Sequence, residues 1–283
     1  MNETKAAKVS PPSRPFRDAA LALTLLTVAP LRTRLQPESR PDVAGWFPLA
    51  GALLGVMAGV IVLLAEVLAN AAVHAEARGD VAVSLAWPLA ACILGAWALA
   101  TRFLHWDGLA DTADGIGGGE TTEERLEIMK DSAIGAFGAV SIVLVALAQS
   151  AAIATILASG NLALELKLAF VAIVPVIGRL SATFACWFGV PARPGGLGSS
   201  VIGRPRVAGV AGTVSVLFAC GVVLLHYGGA TGLGWLLFGV LVAASVGHVL
   251  ATRAGGVTGD VMGASILVTE ALILLAATMV VVT

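Results

Sequence analysis

The sequence predicts an all-α protein that crosses a membrane several times, and three observations lead to this prediction. Of the 283 residues, 58% are hydrophobic and only 12% are charged, whereas about 25% of a typical soluble domain is charged. The mean hydropathy is +0.92. Long apolar runs recur along the chain, and a helix needs roughly 20 such residues to cross the hydrocarbon of a bilayer.

Seven runs approach or exceed that length, so we expect about seven transmembrane helices. They are Ala44–Ala69, Val83–Leu104, Ala133–Ala158, Leu168–Val190, Val207–His226, Leu233–Ala251 and Ala264–Thr283. In the first run, Gly51, Gly55 and Gly59 are spaced by four residues, a pattern typical of closely packed membrane helices.

A shorter apolar stretch, Ala19–Leu31, precedes the seven runs. It has about thirteen residues, too few to span a bilayer, and Pro30 ends it. We therefore predict a short re-entrant or interfacial helix, preceded by a cytoplasmic tail over residues 1–18. Residues 19–283 then form a single integral-membrane domain.

The distribution of basic residues predicts the orientation of the chain. Cytoplasmic loops carry an excess of Lys and Arg. With the N-terminus inside, fourteen of the 17 basic residues are cytoplasmic. The three most polar connections, residues 105–132, 191–206 and 252–263, then all face the cytoplasm, which predicts one active surface on that side.

Three aspartates at the start of the first polar connection carry the strongest chemical signal. Asp107, Asp111 and Asp114 are four and three residues apart, so on a helix they share one face. Three close carboxylates repel one another unless a cation lies among them. Mg²⁺ prefers such oxygen ligands, so we predict that these three residues are catalytic and bind the metal at the membrane surface.

The residues after the aspartates predict a helix break and a second, short helix. Glycine is costly inside helices, so the run Gly115–Gly119 predicts a break. Thr121 and Glu124 match the capping box that begins many helices. The helix Glu123–Asp131 that follows is amphipathic, and it fits an interfacial helix.

Lys130 and Asp131, at the end of this short helix, are candidate phosphate and metal contacts, respectively. A purely interfacial role for the helix explains them equally well, and both interpretations stay open.

The other two polar connections contribute further candidates. Arg193 is a candidate phosphate ligand, although an ordinary basic loop explains it too. Gly256 and Thr258 are candidate substrate contacts and Asp260 is a candidate metal ligand. An ordinary tight turn explains that segment equally simply.

Charges inside the apolar runs are rare, and one pair suggests a specific contact. Only Glu66, Arg102, Arg179 and Glu270 interrupt the seven interiors. A charge at membrane depth normally faces the bundle interior and a partner, so we expect Arg179 to pair with Glu270. The pair is either structural or contacts substrate phosphate, and His105 is a further candidate substrate contact beside the aspartates.

Several function classes receive no support. No basic patch interleaved with aromatic residues indicates nucleic-acid binding, and net charge is −1. The three cysteines lie in apolar runs and favour core packing over disulfides or metal binding. Homo-oligomerisation stays open.

Three motifs closely resemble those of the cobalamin synthase family, also called adenosylcobinamide-GDP ribazoletransferases. They are HWDGLADTADGIGGG at 105–119, LEIMKDSAIGAFG at 126–138 and GGVTGDVMGA at 255–264. Phe47–Gly59 and Arg193–Gly198 also match in order, so the resemblance extends from about residue 20 to the C-terminus. Trp106, Ala133 and Ser265 depart from the usual family pattern, and none of these departures affects the aspartates.

The resemblance implies a Mg²⁺-dependent enzyme of the bacterial inner membrane with its site facing the cytoplasm. Its substrates would be adenosylcobinamide-GDP and α-ribazole or α-ribazole 5′-phosphate, and GMP would leave. The implied metal ligands are Asp107, Asp111 and Asp114, with Asp131 and Asp260 as additional candidates. One aspartate is also a candidate general base.

Two other functions are also compatible with the sequence. The Asp-x-x-Asp-Gly pattern of Asp111–Gly115 is similar to the start of the CDP-alcohol phosphotransferase motif, although the rest of that motif is absent. A membrane cation transporter is the other alternative, because seven spans and embedded charge permit it.

Overall fold

A computed structural model describes residues 15–29, 42–72, 78–193 and 201–282, and in this part of the chain the fold is all-α, as predicted. A single parallel bridge between Pro191 and Val257 is the one β-type pairing in these ranges. The helices are α1 (Pro15–Leu26), α2 (Phe47–Ala72), α3 (Arg78–Ala100), α4 (Leu104–Gly118), α5 (Thr122–Ile128), α6 (Ala136–Ala158), α7 (Leu164–Phe188), α8 (Val207–Ala254) and α9 (Gly259–Val282). A short 3₁₀ helix, Ala44–Trp46, leads into α2.

Five of these helices, α2, α6, α7, α8 and α9, are long and apolar enough to cross a membrane. A sixth candidate span is the bent pair formed by α3 and α4. The protein is therefore a polytopic helical membrane protein.

Helix α8 accounts for a further span because it is a hairpin. Its 48 residues would measure about 72 Å at 1.5 Å per residue, more than twice the hydrocarbon thickness of about 30 Å. The helical geometry breaks at Gly229, where φ is 56° and ψ is −145°.

Contacts across the Gly229 break place the two arms of α8 side by side. A Cβ built at Gly232 would lie 2.6 Å from the carbonyl oxygen of Leu224, and one at Gly221 would lie 3.6 Å from Leu236. The partners in each contact are nearly equidistant from the break, so the arms run antiparallel. The two arms correspond to the separate apolar runs Val207–His226 and Leu233–Ala251 of the sequence.

Helix α7 is the centre of the bundle, and most of its residues from Ala169 to Trp187 are buried. It packs against α2, α8 and α9. The predicted glycine face of α2 packs closely against α7 at two positions, since side chains at Gly51 and Gly55 would overlap the backbone of α7. Gly59 has open space around its Cα, so the prediction holds for two of the three glycines.

A sharp turn after α3 positions the aspartate helix. Arg102 and Phe103 both adopt left-handed backbone conformations, with φ of 52° and 58°, which are unfavourable for residues with a Cβ. The axes of α3 and α4 consequently meet at 88°. Helix α4 therefore turns away from the direction of α3 and packs against α6 and α9.

The short N-terminal helix is present but lies earlier in the sequence than predicted. Helix α1 begins four residues before Ala19 and ends at Leu26, and its 12 residues are too short to span a bilayer. Its buried residues pack around the start of α2. Residues 1–14 of the predicted tail lie outside the described part of the chain, and its residues 15–18 belong to α1.

Candidate active site

The three polar connections that were predicted to share one face contact each other in the structure. Arg125 donates a hydrogen bond to the carbonyl of Arg253 at 2.7 Å. Arg193 donates one to the carbonyl of Leu126. The backbone of Val257 pairs with residues 190 and 192. Residues 194–200 of the second connection lie outside the described part of the chain.

Two glycines permit the close approach of these connections. Gly255 and Gly256 have φ of 81° and 141°, which residues with side chains rarely adopt. A Cβ at Gly256 would lie 2.6 Å from the backbone of Ala192, and one at Gly255 would overlap Thr122. The geometry fits the tight-turn interpretation, and substrate contact by Gly256 stays a prediction.

Helix α4 carries all three predicted aspartates at the expected spacing. Asp107 is exposed, and Asp111 and Asp114 are half-buried. The backbone of Asp260, at the start of α9, lies 2.7 Å from where a Cβ on Gly108 would stand. The charges of Asp107, Asp260 and Asp114 act on the half-buried carboxylate of Asp111.

Asp114 has a structural role in addition to its place on this face. Its carboxylate accepts hydrogen bonds from the backbone N–H groups of Gly135 at 2.8 Å and Gly138 at 2.9 Å. These groups belong to the amino end of α6, where unpaired N–H groups and the helix dipole favour a carboxylate. Asp114 therefore caps α6, whereas Asp107, Asp111 and Asp260 have no such backbone partner from another helix among the described residues.

The donor set of Asp107, Asp111 and Asp260 fits Mg²⁺, because it supplies carboxylate oxygens that repel one another without a cation. Arg193 is the positive group whose charge acts on Asp260. As their side chains are placed, no three His, Cys, Asp or Glu residues in the described ranges form a group that could hold a metal ion.

Asp131 lies apart from this group. Its carboxylate is exposed and accepts a hydrogen bond from the backbone of Ala133 at 3.0 Å, and it is not among the charges that act on Asp111. Its predicted role as a metal ligand stays a prediction.

Thr258 orients the start of α9. Its hydroxyl accepts a hydrogen bond from the backbone N–H of Val261 at 3.1 Å, as an N-cap residue does. The same hydroxyl lies 3.4 Å from a carboxylate oxygen of Asp260. Thr258 thus holds the backbone that presents Asp260 to α4.

The predicted pair of Arg179 and Glu270 is confirmed, and His105 joins it. Arg179 forms an ion pair with Glu270 and lies 3.2 Å from Nδ1 of His105. Because Arg donates only, His105 accepts at Nδ1 and carries its proton on Nε2. All three side chains are buried, so the cluster ties α4 to α7 and α9 two residues before Asp107.

The glycine run after the aspartates does not break the helix, so that prediction is wrong. Helix α4 continues to Gly118, and Gly119 is its C-cap. Side chains at Gly115 and Gly117 would overlap Met129 and the ring of Phe137, at 2.5 and 2.6 Å. The glycines are needed for the close packing of α4 on α5 and α6, which outweighs their low helix propensity.

The short helix α5 begins with the predicted capping box of Thr121 and Glu124. A cavity of about 770 Å³, here called the α5 cavity, opens beside this helix. It is lined by Glu123, Leu126, Glu127, Ile128, Lys130, Asp131 and Arg193. The two predicted phosphate ligands, Lys130 and Arg193, therefore lie on one cavity.

Two buried carboxylates, Asp42 and Asp18, were missed by the sequence analysis. Asp42 accepts hydrogen bonds from the indole of Trp187 at 3.1 Å and from the backbone of Arg206 at 2.7 Å, so it caps the amino end of α8. Asp18 lies beside it and accepts from the backbone of Asp42 at 3.3 Å. The partners are 145 and 164 residues from Asp42, and no local spacing in the sequence indicates them.

Comparison with known proteins places the chain among enzymes of one family. The family model described as cobalamin-5-phosphate synthase matches residues 18–278. A protein of Frankia casuarinae, named adenosylcobinamide-GDP ribazoletransferase, is 36% identical over 278 residues, covering 91% of this chain and 93% of that protein. Proteins of Brucella ovis and Brucella canis with the same name are 36% identical over 247 residues, covering 81% of this chain and 82% of each protein. No solved structure matches the chain.

Proposed function

The chain belongs to the cobalamin-5-phosphate synthase family, and we propose that it is an adenosylcobinamide-GDP ribazoletransferase. A hydroxyl of α-ribazole, or of α-ribazole 5′-phosphate, forms a bond to the phosphorus next to cobinamide. The bond from that phosphorus to the oxygen of GMP breaks, and the hydroxyl proton passes to a general base, for which the aspartates of the site are the candidates. The products are GMP and adenosylcobalamin or its 5′-phosphate.

One observation carries the proposal. The backbone of Asp260, at the start of α9, lies against Gly108 on α4, the residue after Asp107, and the charges of Asp107 and Asp260 act on Asp111. Arg193 is the positive group whose charge acts on Asp260. Opposite charges at this density suit a diphosphate and a divalent cation together. The group lies where the three polar connections converge, at the ends of the helices.

Each set of residues has a separate task in this proposal. Asp107, Asp111 and Asp260 would hold Mg²⁺, which would neutralise negative charge on the diphosphate. Arg193 and Lys130 bind phosphate oxygens and orient the donor. Thr258 and the capping carboxylate of Asp114 fix the helices that present this group.

We further propose that the protein lies in the bacterial inner membrane with this site facing the cytoplasm. The positive-inside rule supports this orientation, because Arg125, Lys130, Arg193 and Arg253 all lie at the converging connections. The transmembrane helices then contact the lipid bilayer. The number of subunits stays open.

The two rival functions have weaker support. A cation transporter would need a site near the bilayer midplane, yet the buried charge there, Arg179, is already paired with Glu270. A CDP-alcohol phosphotransferase would prefer a cytidine donor, whereas the names of the related proteins specify a GDP donor.

The test uses purified protein in detergent with adenosylcobinamide-GDP and each acceptor, with Mg²⁺ and with EDTA. We expect GMP in a 1:1 ratio to the corrinoid product, and only with Mg²⁺. Omission of the acceptor is the control for simple hydrolysis. Folded protein that releases no GMP with either acceptor would contradict the proposal.

A further inference from the structure

We propose that the α5 cavity binds the guanosine end of the donor and that the carboxylate of Glu127 accepts hydrogen bonds from the guanine ring. The inference rests on the proposed function, which supplies a GDP donor. It assigns base recognition to a residue outside the proposed metal site.

Arg193 connects the cavity to the carboxylate group. It lines the cavity, and its charge acts on Asp260. Its guanidinium also donates to the carbonyl of Leu126, which fixes it against α5. A diphosphate bound between Arg193 and the carboxylate group therefore has the cavity next to it, where the attached nucleoside can lie.

The chemistry of the lining suits guanine. This base presents an N1–H and a 2-amino group side by side as donors, and a carboxylate offers two acceptor oxygens that match them. Adenine has an unprotonated nitrogen at the same edge, which a carboxylate repels. Leu126 and Ile128 add apolar surface for the flat face of the base.

Glu127 is the best placed of the three carboxylates on the cavity. Asp131 already accepts a backbone hydrogen bond from Ala133. Glu123 lies one turn nearer the start of α5, away from Lys130. Glu127 directly follows Leu126, whose carbonyl binds Arg193, and it lines the same cavity as Lys130, three residues further along the chain.

Helix α5 is held rigidly, which favours recognition of one base. The capping box closes its first turn, and Met129 is buried at its end. Arg125 donates hydrogen bonds to the carbonyls of Gly119, Glu120 and Arg253. A side chain on a fixed helix loses less conformational entropy when it binds a ligand.

The test measures displacement of a fluorescent GDP analogue by GDP, IDP and ADP, on full-length protein in detergent. IDP lacks only the 2-amino group. A hydrogen bond to a charged group is commonly worth a factor of about ten or more, so wild type should bind GDP at least about tenfold tighter than IDP. Glu127→Gln should bring the GDP-to-IDP ratio close to one, because the Gln amide opposes the 2-amino group with a second donor.

The ratio of the affinities for GDP and IDP separates base recognition from general electrostatics. A change of net charge shifts the affinities for all three nucleotides alike. Glu165→Gln, at the exposed start of α7, is the matched control and should keep the wild-type ratio. A ratio that persists in Glu127→Gln would overturn the assignment, as would a ratio lost in Glu123→Gln instead. Absence of nucleotide binding, or equal affinity of wild type for GDP and IDP, would also overturn it.

The displacement assay does not depend on turnover, so the two proposals fail separately. Discrimination by wild type without GMP release would contradict the proposed function and leave the cavity assignment standing. GMP release without discrimination between GDP and IDP would support the proposed function and contradict the cavity assignment.

Discussion

Replacing Arg179 by Met, with Glu270 left in place, should strongly destabilise the helix bundle. Both residues are 2% exposed, so water cannot solvate the carboxylate that remains. The substitution also removes the donor to Nδ1 of His105. Breaking a buried ion pair from one side typically costs about 3–5 kcal/mol, because one charge stays buried without a partner.

Removal of the other partner by Glu270→Leu should destabilise the bundle slightly less. Arg179 would keep its contact with His105 at 3.2 Å and a long one to the carbonyl of Pro175 at 3.5 Å. We expect the free energy of unfolding to fall by about 3 kcal/mol, which is a factor of about a hundred in the folding equilibrium.

The double variant Arg179→Met/Glu270→Leu should recover most of this loss. It replaces two charges by apolar side chains of similar size, and such replacements are often neutral or stabilising. We expect it within about 1–2 kcal/mol of wild type, the remainder reflecting the unpaired His105.

The assay is thermal unfolding in detergent, read as the soluble fraction in size-exclusion chromatography. At about 2–4 °C per kcal/mol for a large domain, each single variant should lose roughly 10 °C in Tm. Arg204→Met, at an exposed position, is the matched control and should leave Tm unchanged. A single variant with wild-type Tm, or a double variant no better than the worse single, would refute the reasoning.

Turnover of the same preparations separates the two interpretations of the pair. A double variant that folds normally and releases GMP at near the wild-type rate identifies a structural ion pair. A double variant that folds normally without turnover supports the predicted substrate contact of Arg179.

Three further substitutions test the site. Asp107→Asn should lower turnover by a factor of a hundred or more and raise the Mg²⁺ requirement with Tm unchanged, measured by GMP release; near-normal turnover would contradict the metal assignment. Asp114→Ala should lose the cap of α6 and about 1–2 kcal/mol of stability, measured as a lower Tm; an unchanged Tm would contradict the capping role. Gly256→Ala should lower the free energy of unfolding by about 1–3 kcal/mol, because its φ of 141° is strained for alanine and its Cβ would meet Ala192. Gly234→Ala, with open space around it, is the control, and equal Tm losses in the two variants would refute the argument.

The transmembrane part was largely predictable, because run length and hydropathy are properties of contiguous residues. The sequence placed two spans on either side of residues 227–232, and α8 breaks at Gly229. It also identified Glu270 as the partner of Arg179, since a charge in hydrocarbon requires one and few were available.

The site was predictable in part. The spacing of Asp107, Asp111 and Asp114 correctly predicted one helical face. It did not reveal that Asp114 binds the amino end of α6, or that the backbone of Asp260 on α9 packs against Gly108. The spacing defines a direction around one helix axis, but not which neighbouring helix lies in that direction.

The sequence by itself determined the features that depend on residues close together in the chain. These are the membrane class, the spans, the shared face of the α4 aspartates and the capping box of α5. Only the tertiary structure decided that the run Gly115–Gly119 stays helical to Gly118, that Asp42 caps α8, and that Arg193 joins the α5 cavity to Asp260. Each of these depends on the packing of helices distant in sequence, and that packing is set by side-chain shape across the bundle rather than by any local pattern.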